Sequence, residues 1–440
     1  MTPTDMRSPT SMRSGDGADA ESFPCTLPED PLVKNSLKMS EILQELLRVS
    51  EKAACIARAC RQEEALFQLL IEEKKEEEKN KKFLIDFKTL ADVLVQEVIK
   101  HYLGKKFPGL EKNVRGEESN EFTNELGEKI IVKVCPTEEG TANLLQRVLD
   151  NNKAAAKTLA RAVHQEVTLT DEALDAVNVH IPLENIAVWV DPIDSTYQYI
   201  KGLDDVQPEK GIYPKGLQCV TVLIGVFLMD TGHSVMGVIN QPFAIRDPIT
   251  LRWKGQWYWG LSYMGNNICS LQFNTSTGKP DNKVSHGTQQ RTDPGKDSYA
   301  TVTSSAEAKN VLRALSTVCG ENLYVAAGAG YKCLCVIQDF VDFYVFSEDT
   351  TFKWDSCAAH AILKSLGGGM LNLSEYIKST NQNEKLAARP HLLYNSEVQG
   401  EKGADKWANK GGLVAYRSEQ HLEVFMNRFM KELSLSKQLD

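Results

Sequence analysis

The chain has 440 residues, 42% of them hydrophobic and 25% charged, with a formal net charge of −9, a composition ordinary for a globular protein long enough to bury a sizeable core. The negative balance argues against a partner such as nucleic acid or an anionic membrane surface, both of which need a basic face, yet allows an anionic small molecule if bound cations supply positive charge. The longest apolar run, Val220 to Met229, is about half of what a bilayer span requires, and ten scattered cysteines without a CxxC pair read as reduced thiols of a cytoplasmic protein rather than a disulfide scaffold.

Residues 1–38 are rich in Ser, Thr, Pro, Asp and Gly and read as a disordered N-terminal extension. No apolar stretch follows the early arginines, so no secretory leader is expected. Ser40 is placed to cap a helix in which Ile42, Leu43, Leu46 and Leu47 recur at helical spacing, a pattern that continues to about Ile71. Residues 72–82, EEKKEEEKNKK, read as a solvated helix end or loop. A second helix is expected over Lys88–Tyr102, a hairpin after Gly116–Ser119 with a strand at Lys129–Val134, and one alanine- and leucine-rich helix over 141–166. Strands follow at Ile186–Val190, Val220–Leu228 and Val235–Asn240, with a turn at Asp230–Gly232. Residues 274–298 are polar and read as a loop or insertion. The remainder alternates: a strand at 299–303, a helix near 305–318, a strand near 322–326 and a Gly-rich turn at 328–330 opening a helix. A strand at Val341–Phe346 and a helix after Asp355 that stops at Gly367–Gly369 complete it. This alternation makes the fold α/β or α+β. A break near 242–298 divides it into an N-terminal α+β half, 39–245, carrying the metal site, and a C-terminal α/β half, 246–440, carrying substrate-binding elements.

The most informative segment is VWVDPIDST, residues 188–196. An apolar strand delivers Asp191 at its end, Pro192 restricts the turn and Asp194 follows. Acids on a tight loop at the carboxyl end of a strand are placed for ligands. Two carboxylates and the carbonyl of Ile193 form an all-oxygen set suited to a hard cation such as Mg²⁺. Ser195 and Thr196 could open a helix whose free N–H groups face an anion. Other acids stand in suggestive places: Glu117 and Glu118 after a candidate strand, Asp355 between Trp354 and an apolar helix, Asp92 within Leu90–Leu94. Each alone has a bland reading, as a cap, a turn or a surface charge. Carboxylates about 4 Å apart repel by about 4 kcal/mol at an effective dielectric near 20, so converging acids imply bound cations. His360 reads as a packed histidine and Trp354 as a residue beneath the site, and the eight histidines show no zinc spacing.

Taken in order, Asp92, Glu117-Glu118, Asp191-Pro192-Ile193-Asp194-Ser195-Thr196, Trp354-Asp355 and Gly367-Gly368 resemble the shared motif of the magnesium-dependent, lithium-inhibited phosphomonoesterases. That superfamily contains inositol monophosphatase, fructose bisphosphatase and the 3′-phosphoadenosine nucleotidases. VDPIDSTYQYIKG, GLQCVTVLIGV, INQPF, TLRWKGQ, AAGAGYK and FSEDTTFKWDSCAAHAIL are similar to its branch acting on inositol polyphosphates, over roughly residues 39–430.

The resemblance implies a layered αβαβα sandwich, two or three Mg²⁺ ions with Li⁺ as a competing inhibitor, and a small-molecule inositol polyphosphate as substrate; a monomer is expected, although the sequence itself does not give the oligomeric state. It implies removal of the 1-phosphate from inositol 1,4-bisphosphate and inositol 1,3,4-trisphosphate. Glu117, Asp191 and the Ile193 carbonyl would hold one ion, and Asp191, Asp194 and Asp355 a second. Glu117, with Glu118 through water, would serve a weaker third. Thr196 and Asp92 would activate the attacking water, and Asp194, Ser195 and Thr196 would meet the phosphate. Gly328, Ala329 and Lys332 would meet substrate across the small-residue turn. The family's hydroxyl and lysine for a distal phosphate fall on Ala306 and Ala308 here, with Ser305 and Lys309 one residue away. The alternatives are a nucleotide 3′-phosphatase of the same superfamily, a non-catalytic inositol phosphate-binding protein, and a scaffold acting through the 1–38 tail.

Overall fold

Helix α1 (Met39–Gln62) forms because Ile42, Leu43, Leu46, Ala53, Ile56 and Ala57 share one stripe, all fully buried. It begins one residue before Ser40, with the Met39 N–H donating to the Val179 carbonyl at 2.8 Å. The computed structural model describes residues 36–62, 71–75, 78–79, 86–124, 126–273, 299–381 and 389–436. Residues 1–35, nearly all of the expected tail, and the polar segment 274–298 lie outside the described residues, as do residues 63–70 of the expected first helix; its expected last residue, Ile71, instead opens a short strand, Ile71–Glu73, paired antiparallel with Phe87–Thr89. The chain from Leu37 onward forms one unit.

Helix α2 (Leu90–Lys106) starts at a capping box in which Thr89 and Asp92 satisfy each other, and β1 (Val114–Gly116) follows. The stretch expected as one helix over 141–166 is two, α3 (Glu138–Val148) and α4 (Lys153–His164). The polar run between them prefers a turn: Asp150 and Asn151 take left-handed φ values of 45° and 68°, and the Asn152 side chain caps α4 by accepting from the Ala155 N–H at 3.1 Å.

Next come β2 (Ile186–Asp194), the short α5 (Thr196–Lys201), β3 (Thr221–Leu228), β4 (Ser234–Arg246), β5 (Trp253–Tyr263) and β6 (Asn266–Cys269). They join β1 in a sheet ordered β6-β5-β4-β3-β2-β1, antiparallel except for the parallel pair β1–β2. β4 contains Ile245 and Arg246, which pair with Lys254 and Trp253 of β5, so the first sheet runs through the 245/246 boundary and β5 and β6 fall inside the segment 242–298. The start of β5 alternates polar residues with partly exposed tryptophans, and continuous burial sets in only at Tyr258; an edge-like start of this kind lacks the apolar run by which a buried strand is recognised.

The rest builds a second sheet: β7 (Thr301–Thr303), α6 (Lys309–Cys319), β8 (Leu323–Val325), α7 (Ala329–Ile337), β9 (Phe343–Phe346), α8 (Lys353–Ser365), β10 (Gly369–Asn372), β11 (Leu413–Tyr416) and α9 (Glu419–Ser436). Its order is β8-β7-β9-β11-β10. β8, β7 and β9 run parallel, and β11 is antiparallel to both of its neighbours.

Alternation along the strands assigns side chains to layers. Val188 and Val190 of β2 enter the core shared with α1 to α4, while Ala187 and Trp189 enter the next core, with α7, α8 and one face of the second sheet. Phe343, Val345 and Val414 on the far face pack against α6 and α9. The result is the expected αβαβα stack. Helix α8 lies close against the first sheet because glycines stand beneath it: a Cβ on Gly225 or Gly237 would come 2.5 Å from the Ala358 N or 2.1 Å from its carbonyl oxygen. No helix among the described residues is long and apolar enough to cross a membrane.

Candidate active site

Two parallel strands bring the first acids together. Gly116 of β1 stands opposite Val190 of β2, and the Glu117 N–H donates to the Val190 carbonyl at 3.2 Å, so Glu117 leaves its strand beside Asp191. Glu118 is fixed from α2: its N–H donates to Gln96 Oε1 at 3.0 Å and its carbonyl accepts from Gln96 Nε2. β2 loses register with β3 between Asp191 and Asp194, and this irregularity turns both side chains into the site. The Ile193 N–H donates to Asp191 Oδ1 at 3.1 Å. Asp355 arrives on the first turn of α8, its Oδ2 accepting from the Phe352 N–H at 2.8 Å.

Asp191, Asp194 and Asp355 each offer an oxygen, and the three atoms lie within 4.8 Å of one another. Burial holds Asp191 well above the ordinary carboxylate range, and repulsion from Glu117, Asp194 and Asp355 adds to it. Burial, then Asp194 and Glu117, pushes Asp355 up to about 8. Burial raises Asp194 as well, opposed by Lys332, the Thr221 hydroxyl and the N–H groups of Gly330 and Ala329. Thr221 donates to Asp194 at 3.0 Å, and Ala329 and Gly330 donate at 3.2 and 2.9 Å. The start of α7 therefore clamps this acid from the opposite half of the fold. Gly328 makes the clamp possible: its φ is +76°, and a Cβ there would lie 3.0 Å from Asp194 Oδ2.

Asp92 is 1% exposed. Its Oδ2 accepts from the Thr89 N–H and hydroxyl, both at 2.6 Å, and burial outweighs those bonds to push the carboxyl up to about 6. Its Oδ1 faces Thr196, whose hydroxyl lies 3.4 Å away and 3.1 Å from the Ile193 carbonyl. Ser195 occupies the left-handed region at φ 73° and launches α5. The structure thus gathers Asp92, Glu117, Glu118, Asp191, Ile193, Asp194, Ser195, Thr196, Gly328, Ala329 and Asp355. Lys332 lies below the turn, its ammonium 2.8 Å from the Gly328 carbonyl and 3.3 Å from that of Ala326. Ser305 and Lys309 are exposed on the segment after β7. Trp354 packs against Trp189 and Phe352 beneath the cage. His360 is buried against the Tyr394 hydroxyl.

One residue of the charge run departs from its solvated reading. Lys74 is 3% exposed, and its Nζ lies 2.5 Å from Glu117 and 2.8 Å from Glu118. Burial works against its charge, but Glu117, Glu118 and Asp86 hold the ammonium well above its usual range. Burial pushes Glu118 up to about 8, with Lys74 opposing. Gln96 also escapes the motif, although its position one helical turn after Asp92, amid apolar neighbours, is a readable signal. Thr221 has no such mark beyond standing opposite Asp194 in the ladder.

The family model described as the inositol monophosphatase family matches residues 111–421. The chain is 59% identical over 398 residues to the human inositol polyphosphate 1-phosphatase, covering 90% of this chain and 98% of that one. It is 26% identical over 329 residues to the rat 3′(2′),5′-bisphosphate nucleotidase 1, covering 71% and 82%. Among solved structures, the extragenic suppressor protein suhB of Bartonella henselae matches with a TM-score of 0.45 at 13% identity, covering 89% and 98%.

Proposed function

The chain belongs to the inositol monophosphatase family, and on that footing we propose that it is a magnesium-dependent phosphomonoesterase removing the 1-phosphate from inositol 1,4-bisphosphate and inositol 1,3,4-trisphosphate. The observation that carries this reading is the convergence of Asp191, Asp194 and Asp355 within 4.8 Å. Charges so close, largely out of water, call for a divalent ion, and an all-oxygen donor set fits Mg²⁺. Asp191, Asp194 and Asp355 would hold one ion, Asp191 with Glu117 and the Ile193 carbonyl another, and Glu117 with Glu118 a weaker third. Bound there, magnesium neutralises the phosphate charge and makes water more acidic. Lithium competes for one of these positions.

The chain's own groups handle the proton. Thr196 accepts one from the attacking water and passes its hydroxyl proton to Asp92 Oδ1. Asp92, raised only to about 6, is ionised at neutral pH and able to receive it. The chain at Ser195–Thr196 and the turn at Gly328–Ala329 hold the phosphate, with Lys332 as a buried counter-charge. Ser305 and Lys309 reach the distal phosphate. The closer likeness to an enzyme named for inositol polyphosphates than to one named for nucleotides supports the substrate class. We place the protein in the cytoplasm as a monomer; every described cysteine is a free thiol, in keeping with a reducing compartment.

The test is Mg²⁺-dependent phosphate release from inositol 1,4-bisphosphate and from 3′-phosphoadenosine 5′-phosphate, each with a lithium titration. Release from the nucleotide alone would replace this reading with the nucleotidase. Binding of the bisphosphate without turnover would leave only a binding protein.

A further inference from the structure

The parallel strands β8, β7 and β9 end in three neighbouring loops: Ala326–Gly328, Ser304–Ala308 and Ser347–Thr350. Ligands of open α/β sheets lie outside such carboxyl ends. The first loop reaches the acid cage through the clamp on Asp194. The other two are tied to each other by the Glu307 side chain, which is 5% exposed. Its Oε2 accepts from the Ser347 N–H at 2.9 Å, while the Thr303 hydroxyl, 3.4 Å away, donates to the Val345 carbonyl at 2.8 Å. Its Oε1 accepts from the Ala308 N–H at 2.8 Å and from the Ser347 hydroxyl. All three donors are neutral.

A buried carboxylate is costly unless its lone pairs are filled. Only an ionised acid accepts at both oxygens without donating, so this carboxylate fixes a geometry that glutamine could not reproduce. Both segments it joins reach the surface. Ser305 and Lys309 stand on either side of Glu307 in sequence and are exposed. Ser347, Glu348, Asp349 and Thr350 line a cavity of about 400 Å³ with Asp405 and Lys410. The same segment then runs on to Asp355.

We infer that Glu307 is a positioning residue that sets the spacing between the 304–309 and 347–350 segments, and so governs recognition of the part of the substrate distant from the scissile phosphate. The inference rests on the inositol polyphosphate reading above. In Glu307→Gln an amide NH₂ faces donors and the two segments part; Ser347→Ala removes one bond and leaves the carboxylate.

The experiment measures KM and kcat for inositol 1,4-bisphosphate, the inhibition constant of inorganic phosphate, and Mn²⁺ binding by electron paramagnetic resonance. Glu307→Gln is expected to raise KM tenfold or more, to change kcat less than threefold, and to leave phosphate inhibition and Mn²⁺ binding as in the wild type. Ser347→Ala should shift KM in the same direction by less, and it decides the matter alone if Glu307→Gln fails to fold. A fall in kcat at constant KM, or phosphate inhibition weakening in step with KM, would show a merely structural role and overturn the inference. Unchanged KM in both variants would overturn it while leaving the substrate reading intact. A wild-type protein inert toward the bisphosphate would remove both.

Discussion

The Thr196 hydroxyl meets Asp92 Oδ1 across 104 positions of sequence, at 3.4 Å. The other oxygen of Asp92 is already engaged by Thr89, so the carboxylate cannot turn away and Oδ1 is left as a fixed acceptor for a proton. Asp92→Asn keeps the shape and the cap but removes that acceptor. Phosphate release should fall by about 10²- to 10⁴-fold, the usual worth of a positioned acid or base, while Mn²⁺ binding stays intact. Loss of Mn²⁺ in proportion to activity would make Asp92 a metal ligand instead.

Burial and the neighbouring acids push Asp355 up to about 8 and hold Asp191 well above its ordinary range in the metal-free fold, so these two hold protons at neutral pH that a divalent ion must displace. Affinity for Mg²⁺ should therefore climb as pH rises through about 8. Calorimetric titration in two buffers of different ionisation enthalpy should show proton release at about pH 7 that diminishes as pH is raised. The same groups set the stability slope. Their folded pKa values lie above the unfolded ones, near 4, so the stability they contribute is complete below about pH 4 and is lost as pH rises through about 8. The melting temperature of metal-free protein should fall across that window, and Mg²⁺ should flatten the fall. A metal-free melting curve that rises over the same window would mean the acids are not packed as described.

How far the sequence discloses this arrangement depends on whether the reason for a residue's placement is local. Asp191 is legible because an apolar run ends on it, although the strand itself continues to Asp194, and Asp355 because it opens an apolar helix. Asp92 is less so, since a helical acid usually faces water and only its capping partner Thr89 and distant Thr196 explain its burial. Lys74 is not legible: a lysine inside EEKKEEEKNKK has no nearby cause to be buried, and Glu117 stands 43 positions away. The division of residues 141–166 into two helices turns on three polar residues, where helix propensity and capping compete within a few tenths of a kcal/mol to about 1 kcal/mol. Glu307 reads as one acid in a polar turn until Ser347 is seen beside it.

Lys74 answers Glu117 and Glu118 at 2.5 and 2.8 Å. Breaking a buried ion pair by removing one partner costs roughly 3–5 kcal/mol, so Lys74→Met should melt well below the wild type without metal. The two carboxylates it leaves would attract a cation more strongly, so Mg²⁺ should recover more stability in the variant than in the wild type, and Mn²⁺ should bind more tightly. Lys75→Met is the control, since Lys75 is exposed and pairs with Glu121 at the surface, where water and salt screen the contact. Identical Mn²⁺ isotherms for Lys74→Met and wild type would mean that the Glu117–Glu118 pair takes no ion.

Gly328 stands against the cage at the turn that opens α7. With φ at +76°, an alanine there carries strain of order 1–3 kcal/mol. Its Cβ would also lie 2.8 Å from the Cys219 carbonyl oxygen and 3.0 Å from Asp194 Oδ2, and the first of these is backbone that cannot swing aside. The turn in Gly328→Ala must therefore retreat and take the Ala329 and Gly330 N–H groups away from Asp194. An acid stripped of those donors holds its proton more firmly and loses its aim. Mn²⁺ affinity should drop, and the drop should be recovered in part by raising pH. Melting temperature should fall less than it does for Lys74→Met, because the carboxylate keeps the Thr221 hydroxyl at 3.0 Å. A Gly328→Ala protein with wild-type Mn²⁺ affinity would show that the clamp from α7 does not set the position of Asp194.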